Sequence, residues 1–241
     1  MTSDLKAVIF DLDGTLLTID RRFHKVFNDT MKKFGMKAVP RKAFLSRFHR
    51  NQLYHHPFGS ARENRARTAG FWNEFLKSYG RKAYCEYSVP IRGARKAVER
   101  IGGTGVRIAV VTGRMCSPSL VRRELRSIGI DHLVDTVVTK ASVRHSTTCR
   151  QATSRKAELR EVLMRLRLDA KECVFVADYV DDIRSAKPLR IATVAVLSGS
   201  SPRDLMRKEN PNLIVKSICD LPYLLKTKSN NDCSRDRRMR S

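Results

Sequence analysis

Long apolar runs are missing from this sequence. Nowhere in its 241 residues is there a stretch approaching the roughly 18 apolar residues of a membrane helix. "MTSDLK" is followed by only four apolar residues before Asp11, so no signal peptide is expected and the cytoplasm is the expected location. Paired cysteines are missing as well. Cys85, Cys116, Cys149, Cys173, Cys219 and Cys233 are scattered with no C-x-x-C spacing, which argues against a zinc site or a disulfide framework and for free thiols. Acidic residues are scarce, 24 Asp and Glu against 48 Lys and Arg, for a net charge of +24. Residues 21–100 alone carry 20 basic against 5 acidic residues, a concentrated positive field that attracts phosphorylated or polyanionic partners.

What is present is a core and a rhythm. Hydrophobic residues make up 41% of the chain, enough for one large α/β domain or a domain with a smaller module. Short Val- and Ile-rich runs recur at 7–10, 106–111, 133–139, 173–177, 191–197 and 213–215. They are too short for buried helices and read as strands. Between them Leu120, Val121, Leu125 and Ile128 fall at helical spacing, as do Leu159, Val162, Leu163, Leu166 and Leu168. Alternating strands and helices predict a Rossmann-like parallel sheet covered by helices on both faces.

Residues 18–88 break the rhythm. Phe23, Val26, Phe27, Thr30, Met31 and Phe34 form one helical stripe, Phe44, Leu45 and Phe48 a second, and Phe71, Trp72, Phe75, Leu76 and Tyr79 a third. A helical insertion is expected here, its aromatic stripes serving as its own core. The α/β core then comprises 1–17 and 89–225, and the basic tail 226–241 is expected to be disordered.

Ligands of parallel α/β sheets bind beyond the carboxyl ends of the strands. Four polar groups fall at such ends. Asp11 and Asp13 follow the first strand in "AVIFDLDGTLL"; Thr112 and Gly113 stand in "VVTGR"; Lys156 opens a helix in "SRKAEL"; Asp178, Asp181 and Asp182 follow "CVFVA". Arg155 beside Lys156, and Lys140 at an earlier strand end, are competing cations. Two carboxylates one residue apart against an apolar strand repel each other, and a cation or a proton must compensate them.

In these motifs the chain resembles the haloacid dehalogenase-like hydrolase superfamily, on its phosphatase branch, over residues 5 to 225. "DLDGT", "VVTGR", Lys156 and "ADYVDDI" are similar to that family's four motifs in order, and 18–88 to its helical cap. Ala177 and Tyr179 depart from the fourth motif, and Ala157 stands where the phosphoglycolate-phosphatase-like group has proline. The resemblance implies that Asp11 attacks phosphorus to form an aspartyl-phosphate. Asp13 would protonate the leaving oxygen and then activate water. It implies Mg2+ held by Asp11, the backbone carbonyl of Asp13, Asp178 and Asp182. Asp182 is favoured over Asp181 by its spacing from Asp178. Thr112 and Lys156 would hold the phosphoryl oxygens, and Gly14 and Gly113 would let backbone amides approach them.

The expected substrate is a small anionic phosphate monoester: phosphoglycolate, a sugar phosphate or a nucleotide. A phosphomutase of the same superfamily is the nearest alternative. A basic nucleic-acid-binding protein with a secondary phosphatase core is the other, motivated by the charge. In the insertion, His24, His49, His55 and His56, with Arg47, Arg50, Arg62 and Arg65, are substrate-contact candidates by location only.

Overall fold

A computed structural model describes residues 4–49, 57–58, 64–143 and 154–225. The apolar runs become β1 (Ala7–Asp11), β2 (Arg107–Thr112), β3 (Thr136–Thr139), β4 (Cys173–Ala177), β5 (Ala192–Val196) and β6 (Leu213–Val215). They form one parallel sheet in the order β3-β2-β1-β4-β5-β6. The chain starts in the middle and works outward to each edge, so the ends of β1, β2 and β4 flank the point where the winding reverses. β3 starts later than the apolar run beginning at 133. Asp131–Leu133 forms a 3-10 turn, and the Asp135 carboxylate instead accepts from the backbone N of Ile108 at 2.8 Å.

Helices α1 (Asp20–Lys33), α2 (Arg41–Phe48) and α3 (Arg65–Tyr79) fall between β1 and β2. α4 (Ala94–Gly102) leads into β2, α5 (Pro118–Ser127) into β3 and α6 (Lys156–Leu166) into β4. α7 (Val180–Ala186) and α8 (Arg203–Lys208) lead into β5 and β6.

Alternate strand residues divide between the two faces, as a period of two requires. Val8, Phe10, Ile108, Val110, Val174 and Val176 pack with Val98 and Ile101 of α4 and Val121 and Leu125 of α5. Ala7, Ile9, Ala109, Val111 and Phe175 pack with Leu159 and Val162 of α6 and Ile183 of α7. The inner strands β1, β2 and β4 are buried on both sides, which is why their sequences read as continuous apolar runs. Among the described residues no helix is long and apolar enough to cross a membrane.

The three helices of 18–88 build a separate apolar cluster from Phe23, Val26, Phe27, Phe44, Phe48, Phe71, Trp72 and Phe75. Phe71 lies at its centre, fully buried, with edge-to-face partners Phe27, Phe34 and Trp72 at 5.1–5.6 Å. Replacing Phe71 with Ala removes the ring and opens a cavity. We expect a loss of about 3–5 kcal/mol in urea unfolding; a loss below about 1 kcal/mol would show that this cluster is not a close-packed core. The chain enters and leaves this segment side by side. The backbone N of Thr18 donates to Val89 O at 2.7 Å and that of Ile91 to Leu16 O at 2.9 Å.

Candidate active site

Asp11 ends β1 and Asp13 follows a residue later, in a turn closed by the Gly14 backbone N donating to Leu17 O at 2.7 Å. Asp178 follows β4 directly, and Asp182 lies in the first turn of α7. Asp11, Asp178 and Asp182 are almost wholly buried, at 2%, 0% and 2% exposure. Asp181, the rival of Asp182, faces outward and pairs with Arg184 at 2.8 Å. One helical position decides which acid the site receives.

Among the described residues, the cation that pairs with these carboxylates is Arg155, the residue before α6. Its Nε lies 3.4 Å from Asp182 Oδ1 and 3.9 Å from Asp11 Oδ1. Lys156, expected in that place from its motif, makes no ion pair with the four site aspartates among the described residues. Gly113 explains how Arg155 reaches so far in. A Cβ there would stand 2.4 Å from the guanidinium, so glycine leaves the side chain room to cross the β2 end as it does. Lys140, at the end of β3, is also buried and lies 3.9 Å from Glu158. Burial, then the charge of Arg155, pulls its ammonium down to about 8.

Asp178 sits in a cradle made by two glycines. A Cβ on Gly14 (φ +89°) or on Gly199 would come within 2.1 Å of its Oδ2. Its Oδ1 accepts from Thr15 Oγ1 at 3.2 Å, and its Oδ2 from the backbone N of Ser200 at 2.7 Å. The glycine of "DGT" therefore makes room for an acid 164 positions further on, in addition to its left-handed turn.

Electrostatics separates the four acids. Burial, then the charge of Asp182, holds the Asp11 carboxyl well above the ordinary range, against the pull of Arg155. Burial lifts Asp178 to about 6 despite the bonds from Ser200 and Thr15, and lifts Asp182 to about 7 despite Arg155. Asp13 goes the other way. Burial raises it, but the charge and hydrogen bonds of Arg114 outweigh burial and leave it below the usual value. Arg114 Nε donates to Asp13 Oδ2 at 2.7 Å and Nη2 to Oδ1 at 2.6 Å, a two-pronged grip. Thr112 Oγ1 turns towards Asp13 Oδ2 at 3.5 Å and accepts from the backbone N of Arg114.

Among the described residues, Asp11 and Asp182 pair with the same guanidinium and Asp178 with none, while Lys140 pairs with Glu158, so the three buried acids outnumber the cations paired with them. Asp11 Oδ1 and Asp182 Oδ1 are buried without a hydrogen bond. Among the described residues no three acidic, His or Cys side chains already close around an ion position. The surplus charge, the orphaned oxygens and the all-oxygen donor set nonetheless fit one hard divalent cation.

A family model described as haloacid dehalogenase-like hydrolase matches residues 8–196. The chain belongs to that family. A protein named PpaX from Caldanaerobacter subterraneus subsp. tengcongensis is 25% identical over 240 residues, covering 92% of this chain and 95% of its own. The pyrophosphatase PpaX of Listeria monocytogenes is 20% identical over 221 residues, with 92% and 96% covered. A solved haloacid dehalogenase-like family hydrolase from Streptococcus pneumoniae superposes with a TM-score of 0.73 at 15% identity, covering 93% of this chain and all of the other. The resemblance read from the motifs stands, and with it the assignment to a hydrolytic enzyme family.

Three participants escaped the motif reading. Arg114 is visible in "VVTGR", but its partner Asp13 lies 101 positions away. Ser200 and Gly199 sit in an unremarkable "SGSS". Among the insertion residues, His49 reaches Ser200 O through Nδ1 at 3.1 Å, and His24 instead bonds Val39 O at 2.8 Å within the insertion. Arg47 and Arg65 are exposed, while Arg50, His55, His56 and Arg62 lie outside the described residues.

Proposed function

We propose that the protein is a magnesium-dependent phosphatase acting on a small phosphate monoester. The observation that carries this reading is the surplus, among the described residues, of buried carboxyl groups over paired cations around Asp11, at the end of the central strand of a haloacid dehalogenase-like fold. Asp11, Asp178, Asp182 and the backbone carbonyl of Asp13 would hold Mg2+. Bound there, it would supply charge compensation between the nucleophile and an anionic substrate.

Asp11 attacks the phosphorus and carries the phosphoryl group as an aspartyl-phosphate. Asp13 gives a proton to the leaving oxygen, and its carboxylate takes one back from the water that attacks the aspartyl-phosphate, releasing phosphate and restoring Asp11. Thr112, the amides around Gly113 and Gly14, and Arg155 hold the phosphoryl oxygens. A guanidinium matches two of those oxygens at once, which an ammonium at Lys156 cannot do. Residues 18–88 act as a cap over this edge, and their net positive charge draws anionic substrates in. A phosphoanhydride is the second substrate class to test, supported by the buried Lys140 beside Arg155 and by relatives named as pyrophosphatases.

The purified full chain should release inorganic phosphate from p-nitrophenyl phosphate with Mg2+, and lose at least about 100-fold of that rate in EDTA. A panel of phosphoglycolate, hexose phosphates, nucleotides and pyrophosphate then ranks substrates by kcat/KM. Isomerised hexose phosphate without free phosphate would replace the phosphatase reading by a phosphomutase. Activity unchanged by EDTA would remove the metal from it.

A further inference from the structure

Asp13 begins a chain of ion pairs that leads away from the catalytic edge into the insertion. Two arms of Arg114 grip its carboxylate, and the third, Nη1, donates to Glu124 Oε2 of α5 at 2.6 Å. Glu124 Oε1 accepts from Nη1 of Arg22, on α1, at 3.0 Å. Arg22 also donates to the backbone O of Tyr79, the last residue of α3, from Nε at 3.1 Å, and to Ser88 Oγ at 3.2 Å where the insertion ends. The Tyr79 ring carries both guanidinium groups on its faces, Arg22 at 4.9 Å and Arg114 at 5.7 Å from the centroid.

The four charges alternate in sign and cancel, so the chain needs no outside counter-ion. It is nevertheless an expensive construction, with Arg22 0%, Arg114 1% and Glu124 6% exposed. A buried ion-pair chain stabilises no better than an apolar cluster of the same volume. Joining the insertion to the core does not require it. What an apolar cluster cannot supply is direction. The planar fork of Arg114 fixes the plane and position of one carboxylate, and that carboxylate is Asp13. The loop bearing Arg114 is also pressed against the end of α3, where a Cβ on Gly80 would stand 2.5 Å from Met115 O.

We propose that Arg114, Glu124 and Arg22 are positioning residues for Asp13, a relay through which the docking of α1 and α3 sets where the acid–base carboxylate stands. The inference rests on the phosphatase reading above and adds to it the residues that make the insertion a determinant of proton transfer. A displacement of α1 that breaks the Arg22–Glu124 bond leaves Glu124 short of a cation and frees Arg114 to turn away from Asp13.

The test uses the full chain with Mg2+ and two esters. p-Nitrophenyl phosphate has a leaving phenolate that needs no proton; glycerol phosphate has an alkoxide that does. The variants are Glu124→Gln, which keeps shape and an acceptor oxygen, and Arg22→Met, with Asp13→Asn and Asp11→Asn as references and urea unfolding as the check on folding. In both relay variants kcat on glycerol phosphate should fall about 10- to 100-fold with KM within about threefold, the size of a misplaced acid–base group. The first-turnover burst of nitrophenolate should stay within about threefold, and Asp13→Asn should repeat this selective pattern more strongly. Should Arg22→Met not fold, Glu124→Gln decides alone. An unchanged kcat on glycerol phosphate, or equal losses on both esters in the first turnover, overturns the relay. The phosphatase reading survives that result if Asp11→Asn still abolishes turnover; a wild-type chain that releases no phosphate overturns both.

Discussion

Replacing Asp11 with Asn should abolish phosphate release, by about 10^4-fold or more, and at the same time make the metal-free protein more stable at pH 8. The two effects share a cause. Asp11 is 2% exposed, faces Asp182 and Asp178, and keeps Oδ1 without a hydrogen bond. A carboxylate in that position is a strained charge, and its neutral isostere is not. The gain should be about 1–3 kcal/mol, the usual cost of a buried polar group left unsatisfied. The pH dependence has a definite sign. Asp11, Asp178 (about 6) and Asp182 (about 7) all hold protons more tightly when folded than when unfolded. Their contribution is therefore fully present below the ordinary carboxylate range and is lost as pH rises through the folded values. Metal-free wild type should weaken from about pH 5 to pH 8, and Asp11→Asn less steeply. Urea unfolding at both pH values in EDTA measures this. A variant less stable than wild type at pH 8 would mean that Arg155 already compensates Asp11 fully.

The same physics sets how much was legible beforehand. Strands buried on both faces must be apolar throughout, so "VRIAVV" and "CVFVA" announced β2 and β4 to within a residue or two. The aromatic stripes announced α1 and α3 because one face of each helix must meet the others. That Asp11, Asp178 and Asp182 lie together was legible because four polar groups fell at strand ends in the order of the family's motifs, and the ends of adjacent parallel strands meet. Asp13 was recognised, but its state was not. Its partner Arg114 lies across the β1–β2 boundary, and nothing in either motif says that the two meet. Glu124 reads as an ordinary polar residue of an amphipathic helix and becomes buried only because Arg22 and Arg114 approach it from opposite sides. Pairings between charges far apart in the chain are set by the tertiary fold, and local periodicity carries no trace of them.

The second large effect separates two neighbouring cations. Arg155→Ala should lower kcat/KM by about 10^2- to 10^3-fold, the scale of removing one donor from a site of developing charge. Lys156→Ala should stay within about threefold. The motif points to Lys156, but among the described residues Lys156 makes no ion pair with the site aspartates, and the residue before it lies against Gly113 and beside Asp182 and Asp11. A stability signature accompanies the kinetic one. Without Arg155, Asp11 and Asp182 lose the guanidinium that pairs with both, so metal-free Arg155→Ala should lose about 3–5 kcal/mol at pH 8. Much of that loss should vanish near pH 5, where Asp178 and Asp182 take up protons. Mg2+ should restore stability at pH 8 without restoring kcat/KM, because it balances the acids but does not replace a two-pronged donor to phosphoryl oxygens. Arg155→Lys should fall between, keeping the charge and losing the fork. If Lys156→Ala instead suffers the larger loss, the lysine swings into the site when substrate binds, and Arg155 serves only to hold the empty carboxylates apart.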